Sequence, residues 1–311
     1  MAADDNPELM TVRDFIRWGA SRFRQAELTF AHGMASAIDE ATYLVLHALH
    51  LPIDTPESLF DGRLTRNEKK TVIHLLSRRI KERKPAAYLT QEAWFAGLPF
   101  YVDERVLVPR SPLAELIENQ FYPWTSADKV HNILDLCTGS GCIGIACAYA
   151  FPFANVDLSD ISEAAIDVAT INIERHQADM NVQALQSDLF AQLPAKRYDI
   201  IVSNPPYVDA EDLAAMSQEF QHEPRLGLEA GSDGLAVVTR ILQQARSYLS
   251  DQGVLVVEVG NSQYAMELIW PNIPFHWLEF EHGGDGVLLL TAEQLDAYAD
   301  ALAKPAEFVS T

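Results

Sequence analysis

The chain has 311 residues, 48% of them hydrophobic, and carries 44 Asp plus Glu against 23 Lys plus Arg, a formal net charge of −21. That length and apolar share support a large core and two domains of unequal size, while the acidic field repels phosphate backbones and attracts basic partners. No apolar run reaches the roughly 18 to 20 residues that span a bilayer, and the start Met1-Ala2-Ala3-Asp4-Asp5 lacks the basic flank of a secretory leader, so a cytoplasmic protein without membrane association is expected. Cys137, Cys142 and Cys147 lie close together with no histidine at a zinc-type spacing, which points to reduced, buried thiols and neither a disulfide nor a metal site.

Residues 1–85 read as a small helical domain. Thr11 to Asp14 resembles a capped start, followed by Phe15, Ile16, Trp18, Gly19 and Phe23 at roughly helical spacing; a second helix is expected over Asp39 to Leu49. Thr65 to Glu68 matches a capping box, and Val72, Ile73, Leu75, Leu76 and Ile80 form an apolar stripe on a helix that ends near Lys84-Pro85. The basic run Arg78 to Lys84 reads as the solvated end of that helix, where cations complement the dipole. Substrate docking or simple stabilisation are the roles open to this domain.

Residues 86–129 read as a hairpin and linker. Trp94 to Val102 is aromatic and β-branched around Ala96-Gly97, a short helix is expected over Leu113 to Gln120, and Pro123 to Asp128 is a surface loop. From 130 to 311 strand and helix patterns alternate. Strands are expected at Asn132–Cys137, Asn155–Asp160, Val182–Gln186, Asp199–Ser203 and Gly253–Val259, and helices at Cys142–Ala150, Ser162–His176 and Leu235–Leu249, with Phe275–Phe280 and Gly286–Leu290 as a closing antiparallel pair. Such alternation implies an α/β fold with helices on both faces of a mostly parallel sheet, and ligands beyond the carboxyl ends of its strands.

Three successive strand ends carry candidate ligand groups. The first runs Asp135-Leu136-Cys137-Thr138-Gly139-Ser140-Gly141, a glycine turn into a helix that lets a ligand approach the backbone. Gly139 to Gly144 also fits G-x-G-x-x-G, so a dinucleotide dehydrogenase and a ligand-free tight turn remain open for this element alone. Asp160 closes the second strand, where a carboxylate can accept both hydroxyls of an adenosine ribose. Asp188, followed by Leu189 at the third strand end, can accept from an adenine amino group or cap the next turn.

The fourth strand ends in Asn204-Pro205-Pro206-Tyr207. Two prolines cannot donate to a ladder, so the strand stops and the backbone turns a rigid corner. Asn204 Oδ1 and the Pro205 carbonyl offer two acceptors for one NH₂ group, and Tyr207 adds a flat face against which a planar amide or base can lie.

With these residues the chain resembles the HemK/Prm group, class I S-adenosylmethionine-dependent methyltransferases that modify glutamine side-chain amides. The resemblance covers nearly the whole chain and also takes in Val108-Pro109-Arg110, His222-Glu223-Pro224 and Glu258-Val259-Gly260. It implies a Rossmann-like, mostly parallel seven-stranded sheet behind a small N-terminal helical domain and a β-hairpin connection. It further implies S-adenosyl-L-methionine as cofactor, held by Asp135, Cys137, Thr138, Gly139, Ser140, Gly141, Asp160, Asp188, Leu189 and Asn204. Pro109-Arg110-Ser111-Pro112-Leu113 stands where the branch acting on peptide release factors reads Pro-Arg-Pro and then acidic residues, so the branch acting on large-subunit ribosomal protein L-three is the better match. A basic protein substrate, free or in an assembling large subunit, is the implied partner. A second departure is Cys137, which replaces the first glycine of the cofactor turn.

On this reading Asn204, Pro205 and Tyr207 carry the transfer, Pro206 shapes the corner, and Phe95 either flanks the amide or belongs to the core. An amide nitrogen is a poor nucleophile because its lone pair is delocalised; two acceptors on its N–H groups orient that lone pair and stabilise the charge developing on nitrogen. The alternatives are a release-factor glutamine methyltransferase, a DNA adenine methyltransferase, which also attacks with a planar NH₂ but needs cationic phosphate contacts, a dehydrogenase, and a cofactor-binding assembly factor without activity.

Overall fold

A computed structural model describes residues 8–231 and 234–304, with no side-chain description at 210 and 211. The acidic start Met1–Asp5 lies outside the described residues. The chain divides into two compact units, one of Met1–Ala93 with Ser217–His222, the other of Trp94–Met216 with Glu223–Thr311. Among the described residues no helix is long and apolar enough to cross a membrane.

The first unit holds α1 (Val12–Gln25), α2 (Ala37–Ala48), α3 (Arg66–Glu82) and the short α4 (Ala86–Thr90). Capping boxes start α1 at Thr11 and Asp14 and α3 at Thr65 and Glu68, each satisfying two otherwise orphaned backbone N–H groups. Phe15, Phe23, Leu44 and Leu76 form its fully buried centre. Gly19 lets α1 close on this core, since a Cβ there would sit 3.1 Å from Leu76.

The basic run at the end of α3 departs from a solvated helix end at one residue. Arg78 is half exposed and pairs with Glu82 one turn on, but Arg79 is fully buried. Position 79 follows Val72, Leu75 and Leu76 at helical spacing, so the same periodicity that buries the stripe buries this cation. Its charge is met by Glu40, to which Nε donates at 2.6 Å, with Glu219 at 3.7 Å, and Nη2 donates to the Thr29 carbonyl at 3.1 Å. Burial pushes the Glu40 carboxyl up, and Arg79 opposes that shift. Glu219 is fully buried, accepts from Arg83 at 2.9 Å and from the Thr29 N–H at 3.2 Å, and so fixes Ser217–His222 in this unit.

The hairpin of β1 (Ala93–Phe95) and β2 (Leu98–Phe100), closed by Ala96 and Gly97, belongs to the second unit from Trp94 onward. Both turn residues have positive φ, +47° and +71°, the twist that two-residue hairpins need. After α5 (Leu113–Glu118) the strands and helices alternate as β3 (Asn132–Leu136), α6 (Cys142–Ala150), β4 (Asn155–Asp160), α7 (Glu163–Arg175), β5 (Val182–Gln186) and β6 (Tyr198–Ser203). There follow α8 (Ala210–Ala215), α9 (Ala236–Gln244), β7 (Leu249–Glu258), α10 (Gln263–Ile269), β8 (His276–Trp277), β9 (Val287–Thr291), α11 (Ala292–Ala297) and α12 (Ala299–Leu302).

The seven-stranded sheet has the order β5-β4-β3-β6-β7-β9-β8, with β3 to β7 parallel and β9 antiparallel to both neighbours. Its central strands are buried on both faces by two apolar clusters, which accounts for their nearly continuous Val, Ile and Leu. The chain leaves β3 for β4 and β5 on one side and returns to β6 on the other. The switch point therefore lies between β3 and β6, and such sheets bind ligands there, beyond the carboxyl ends of their strands.

Candidate active site

Strand register brings the site together. Leu136 pairs with Ser159 on one side and with Ser203 on the other, so the ends of β4, β3 and β6 are level and Cys137 lies between Asp160 and Asn204. Ser203 pairs in turn with Val257, which sets Glu258 beside Asn204. Ser203 Oγ also donates to the Leu136 carbonyl at 2.8 Å, closing the backbone where the corner begins.

The turn after β3 is built from the inside. Asp135 is fully buried; its Oδ2 accepts from Thr138 Oγ1 and, at 2.9 Å, from the Gly144 N–H. A Cβ on Gly144 would fall 2.0 Å from Leu158, so only glycine lets α6 lie this close to β4. Asn172 on α7 donates to the Ser140 carbonyl at 2.8 Å, and the Thr138 N–H donates to Ser159 at 3.0 Å. Thr138 and Ser140 are buried, whereas no atom lies within 4 Å of a Cβ built on Gly139. Gly139 thus presents bare backbone to open space. Cys137 adopts φ +59°, a left-handed conformation that favours glycine and strains any side chain by about 1 kcal/mol. Burial and the charge of Asp160 raise its thiol, which favours the protonated form over the nucleophilic thiolate. Cys142 and Cys147 are buried in α6, and burial raises both.

Burial pushes the Asp135 carboxyl up to about 7, against the bonds from Thr138 and Gly144 that favour its charged form. An unfolded aspartate titrates near about 3.9, so the unfolded chain loses this proton first and Asp135 makes the fold less stable as pH rises from about 4 to about 7. Asp135→Asn keeps one acceptor oxygen and is expected to flatten that part of the stability curve. Denaturant unfolding across this pH range checks it; the same downward slope in parent and variant contradicts it.

Asp160 stands at the rim of the same turn. Its Oδ2 accepts from the Gly139 N–H at 3.0 Å and its Oδ1 from Ser162 at 2.9 Å, leaving further lone pairs on both oxygens. Burial raises this carboxyl and the backbone bonds oppose the rise. Asp188 is half exposed and takes both 2.9 Å bonds from Nη2 of Arg240 on α9. Leu189, with φ +50°, is buried in the core, and Ser187 Oγ donates to its carbonyl at 2.7 Å.

At the corner, Pro205 is buried while Asn204, Pro206 and Tyr207 are partly exposed. Among the described residues nothing donates to Asn204 Oδ1 or to the Pro205 carbonyl. Tyr207 is fastened instead: its phenol donates to Glu258 Oε1 at 3.1 Å and its carbonyl accepts from Ser262 Oγ at 3.0 Å. Phe95 is 5% exposed and lies in the core with Phe100 and Leu113, so its ring is engaged in packing.

Several polar residues around the corner carry no role in the sequence-based reading. Arg110 makes a two-pronged pair with Glu223 at 2.6 and 2.7 Å, and Glu223 also accepts from the Val108 N–H at 3.0 Å. Ser111 Oγ donates to Glu258 Oε2 at 2.5 Å. In the sequence Glu258 shows as a carboxylate that closes the apolar run Val254 to Val257 and as part of the Glu258-Val259-Gly260 segment of the resemblance, neither of which assigns it a role.

Residues 119–232 match the methyltransferase small domain family. A ribosomal protein uL3 glutamine methyltransferase of Francisella tularensis subsp. tularensis is 51% identical over 297 residues, covering 95% of this chain and 95% of that protein. Its counterpart in Xanthomonas campestris pv. campestris is 50% identical over 299 residues, 96% of this chain and 97% of that one. A solved methyltransferase from Pyrococcus furiosus, 15% identical, superposes with a TM-score of 0.44 over 73% of this chain and 99% of that chain.

Proposed function

The chain belongs to the ribosomal protein uL3 glutamine methyltransferase family, and from that premise we propose that it methylates a glutamine side-chain amide of uL3, the L-three protein of the large ribosomal subunit. It is an S-adenosylmethionine-dependent methyltransferase of class I fold. The residues at the carboxyl ends of β3, β4 and β5 fit that cofactor: bare backbone at Gly139, a carboxylate with spare lone pairs at Asp160, and a second carboxylate at Asp188. When bound, the cofactor supplies an electrophilic methyl on a sulfonium.

The chain's own residues do the rest. Asp160 accepts from the ribose hydroxyls, and Asp188, steadied by Arg240, accepts from the adenine amino group. Asp135 lies beneath the turn and shapes it through Thr138 and Gly144, so its contribution to cofactor binding is indirect. Asn204 Oδ1 and the Pro205 carbonyl accept the two amide N–H bonds, hold the nitrogen lone pair outward, and stabilise the positive charge that grows on nitrogen. Tyr207 flanks the amide. No strong base is required, because an alkylated amide cation is acidic enough to release its proton to a neighbouring acceptor or water.

The observation that carries this reading is the pair of unengaged acceptors at Asn204 and Pro205, level with Asp160 across two strand ends. The net charge of −21 favours a basic ribosomal protein over DNA, whose phosphates it repels. The three free cysteines suit a reducing cytoplasm. Labelled cofactor is offered with free uL3, undermodified large subunits, a release factor and DNA. Label in uL3, free or assembled, is expected. Label in the release factor alone overturns the substrate, and label in DNA overturns the acceptor class.

A further inference from the structure

Tyr207 is held from behind by one short stretch of chain. Beyond the phenol bond to Glu258 and the carbonyl bond from Ser262, its ring lies against Gly260, where a Cβ would sit 2.6 Å from Tyr207 Cε2. Gly260 has φ +47°, so glycine serves there both the backbone and the ring. A Cβ on Gly234 would lie 2.5 Å from the Tyr207 carbonyl oxygen, which closes another side. The ring has little freedom to turn.

Glu258 is the polar end of this clamp. It is 4% exposed at the end of β7, and its two carboxylate oxygens divide between two hydroxyls, Tyr207 on Oε1 and Ser111 on Oε2. Burying a carboxylate against hydroxyl donors is costly, and an apolar residue at the end of an apolar strand would make the fold more stable. The arrangement does one thing an apolar side chain cannot. It fixes the phenol oxygen and with it the axis of the ring, while Gly260 packed against the ring atoms restricts rotation about that axis. Ser111 in turn fixes the carboxylate, and its N-terminal neighbour Arg110 is held by Glu223.

We propose that Glu258, oriented by Ser111, is a positioning residue for methyl transfer that anchors the phenol end of the Tyr207 ring and so stops the ring from tilting away from the acceptor amide. This rests on the reading of Asn204 to Tyr207 as the amide-binding corner. A ring free to tilt leaves the amide free to rotate about its acceptors, and misorientation of the nitrogen lone pair slows transfer without weakening the cofactor.

Steady-state methylation of uL3, cofactor Kd and thermal midpoint are measured for the full chain and for Glu258→Ala, Glu258→Gln, Tyr207→Phe and the Glu258→Ala plus Tyr207→Phe double variant. Glu258→Ala is expected to lower kcat about tenfold, the worth of one lost hydrogen bond, with cofactor Kd unchanged. Glu258→Gln retains an acceptor for the phenol and is expected to stay within about threefold of the parent. The double variant should be no slower than Glu258→Ala alone, because both changes remove the same bond. Full kcat in Glu258→Ala, a Glu258→Gln as slow as Glu258→Ala, or losses that multiply in the double variant each overturns the inference. If Glu258→Ala does not fold, Ser111→Ala decides: a lowered kcat at unchanged cofactor Kd supports the inference, and a full kcat overturns it. Asn204→Ala run alongside separates the two readings. At full rate it removes the corner reading itself; slow Asn204→Ala beside a fast Glu258→Ala removes only the role of Glu258.

Discussion

Asn204→Ala is expected to lower kcat for glutamine methylation about 10²- to 10³-fold, the scale set by losing one preorganised group that stabilises developing charge. The acceptor is a planar amide whose nitrogen lone pair is shared with its carbonyl. For that nitrogen to attack, the lone pair must localise, and each N–H bond becomes more acidic as charge builds. In the proposed reaction Asn204 Oδ1 and the Pro205 carbonyl accept those two hydrogens, and the second cannot be removed by side-chain substitution. With one acceptor gone the amide is free to turn about the other. The interaction strengthens as positive charge grows, so the loss falls mainly on kcat and less on KM. Cofactor affinity, which the proposal assigns chiefly to Asp160 and the Gly139 turn, is expected to change far less. Steady-state kinetics with a separate cofactor titration reads both quantities; an unchanged kcat removes Asn204 from the mechanism.

Asp160→Ala acts on the other half of the reaction. Two charge-assisted hydrogen bonds to vicinal hydroxyls are worth about 1.5 to 3 kcal/mol each, so on the proposed ribose assignment their loss is expected to raise the cofactor Kd about 10²-fold after allowance for partial replacement by water. The Gly139 and Ser162 N–H groups lose their acceptor as well, at 3.0 and 2.9 Å, so part of the loss arises in the turn itself. Asp160→Asn, which keeps one acceptor oxygen, is expected between parent and alanine variant. The sign of the pH dependence follows from the same geometry. Burial holds this carboxyl above its ordinary range, and hydroxyl donors favour the ionised form, so cofactor affinity falls as pH drops through the Asp160 pKa. Calorimetric titration measures it, and an Asp160→Ala affinity equal to the parent's removes the ribose assignment.

The alternation of strands and helices, and the ligand groups at strand ends, are local properties, and the sequence displays them directly. Parallel register needs only level ends, which the apolar runs closing at Leu136, Ser159 and Ser203 supply. What the sequence hides is long-range pairing of polar groups. Arg79 sits in a basic run and reads as solvated until Glu40 and Glu219, distant in sequence, meet it in the interior. Ser111, Tyr207 and Glu258 come from three separate segments, and nothing local marks them as one network.

Edges of elements show a similar limit. The expected helix over Leu235 to Leu249 ends as α9 at Gln244, followed by a 3-10 turn, because Leu249 pairs with Tyr198 and starts β7 ahead of the polar Ser250 to Gly253. The closing strand expected over Phe275 to Phe280 shrinks to His276 and Trp277, an edge strand paired with Leu289 and Leu288, with one further bond from the Leu278 N–H to the Val287 carbonyl. The helices α4, α8, α10, α11 and α12 are short, and their few turns give little periodicity to read.

The account stands on an amide nitrogen as the group that receives the methyl. Undermodified uL3 is incubated with the protein and cofactor, digested, and the added methyl located by tandem mass spectrometry. A methyl on the side-chain nitrogen of one glutamine, absent when Asn204→Ala replaces the parent, is the predicted result. A methyl on a lysine, an arginine or a carboxylate would contradict it.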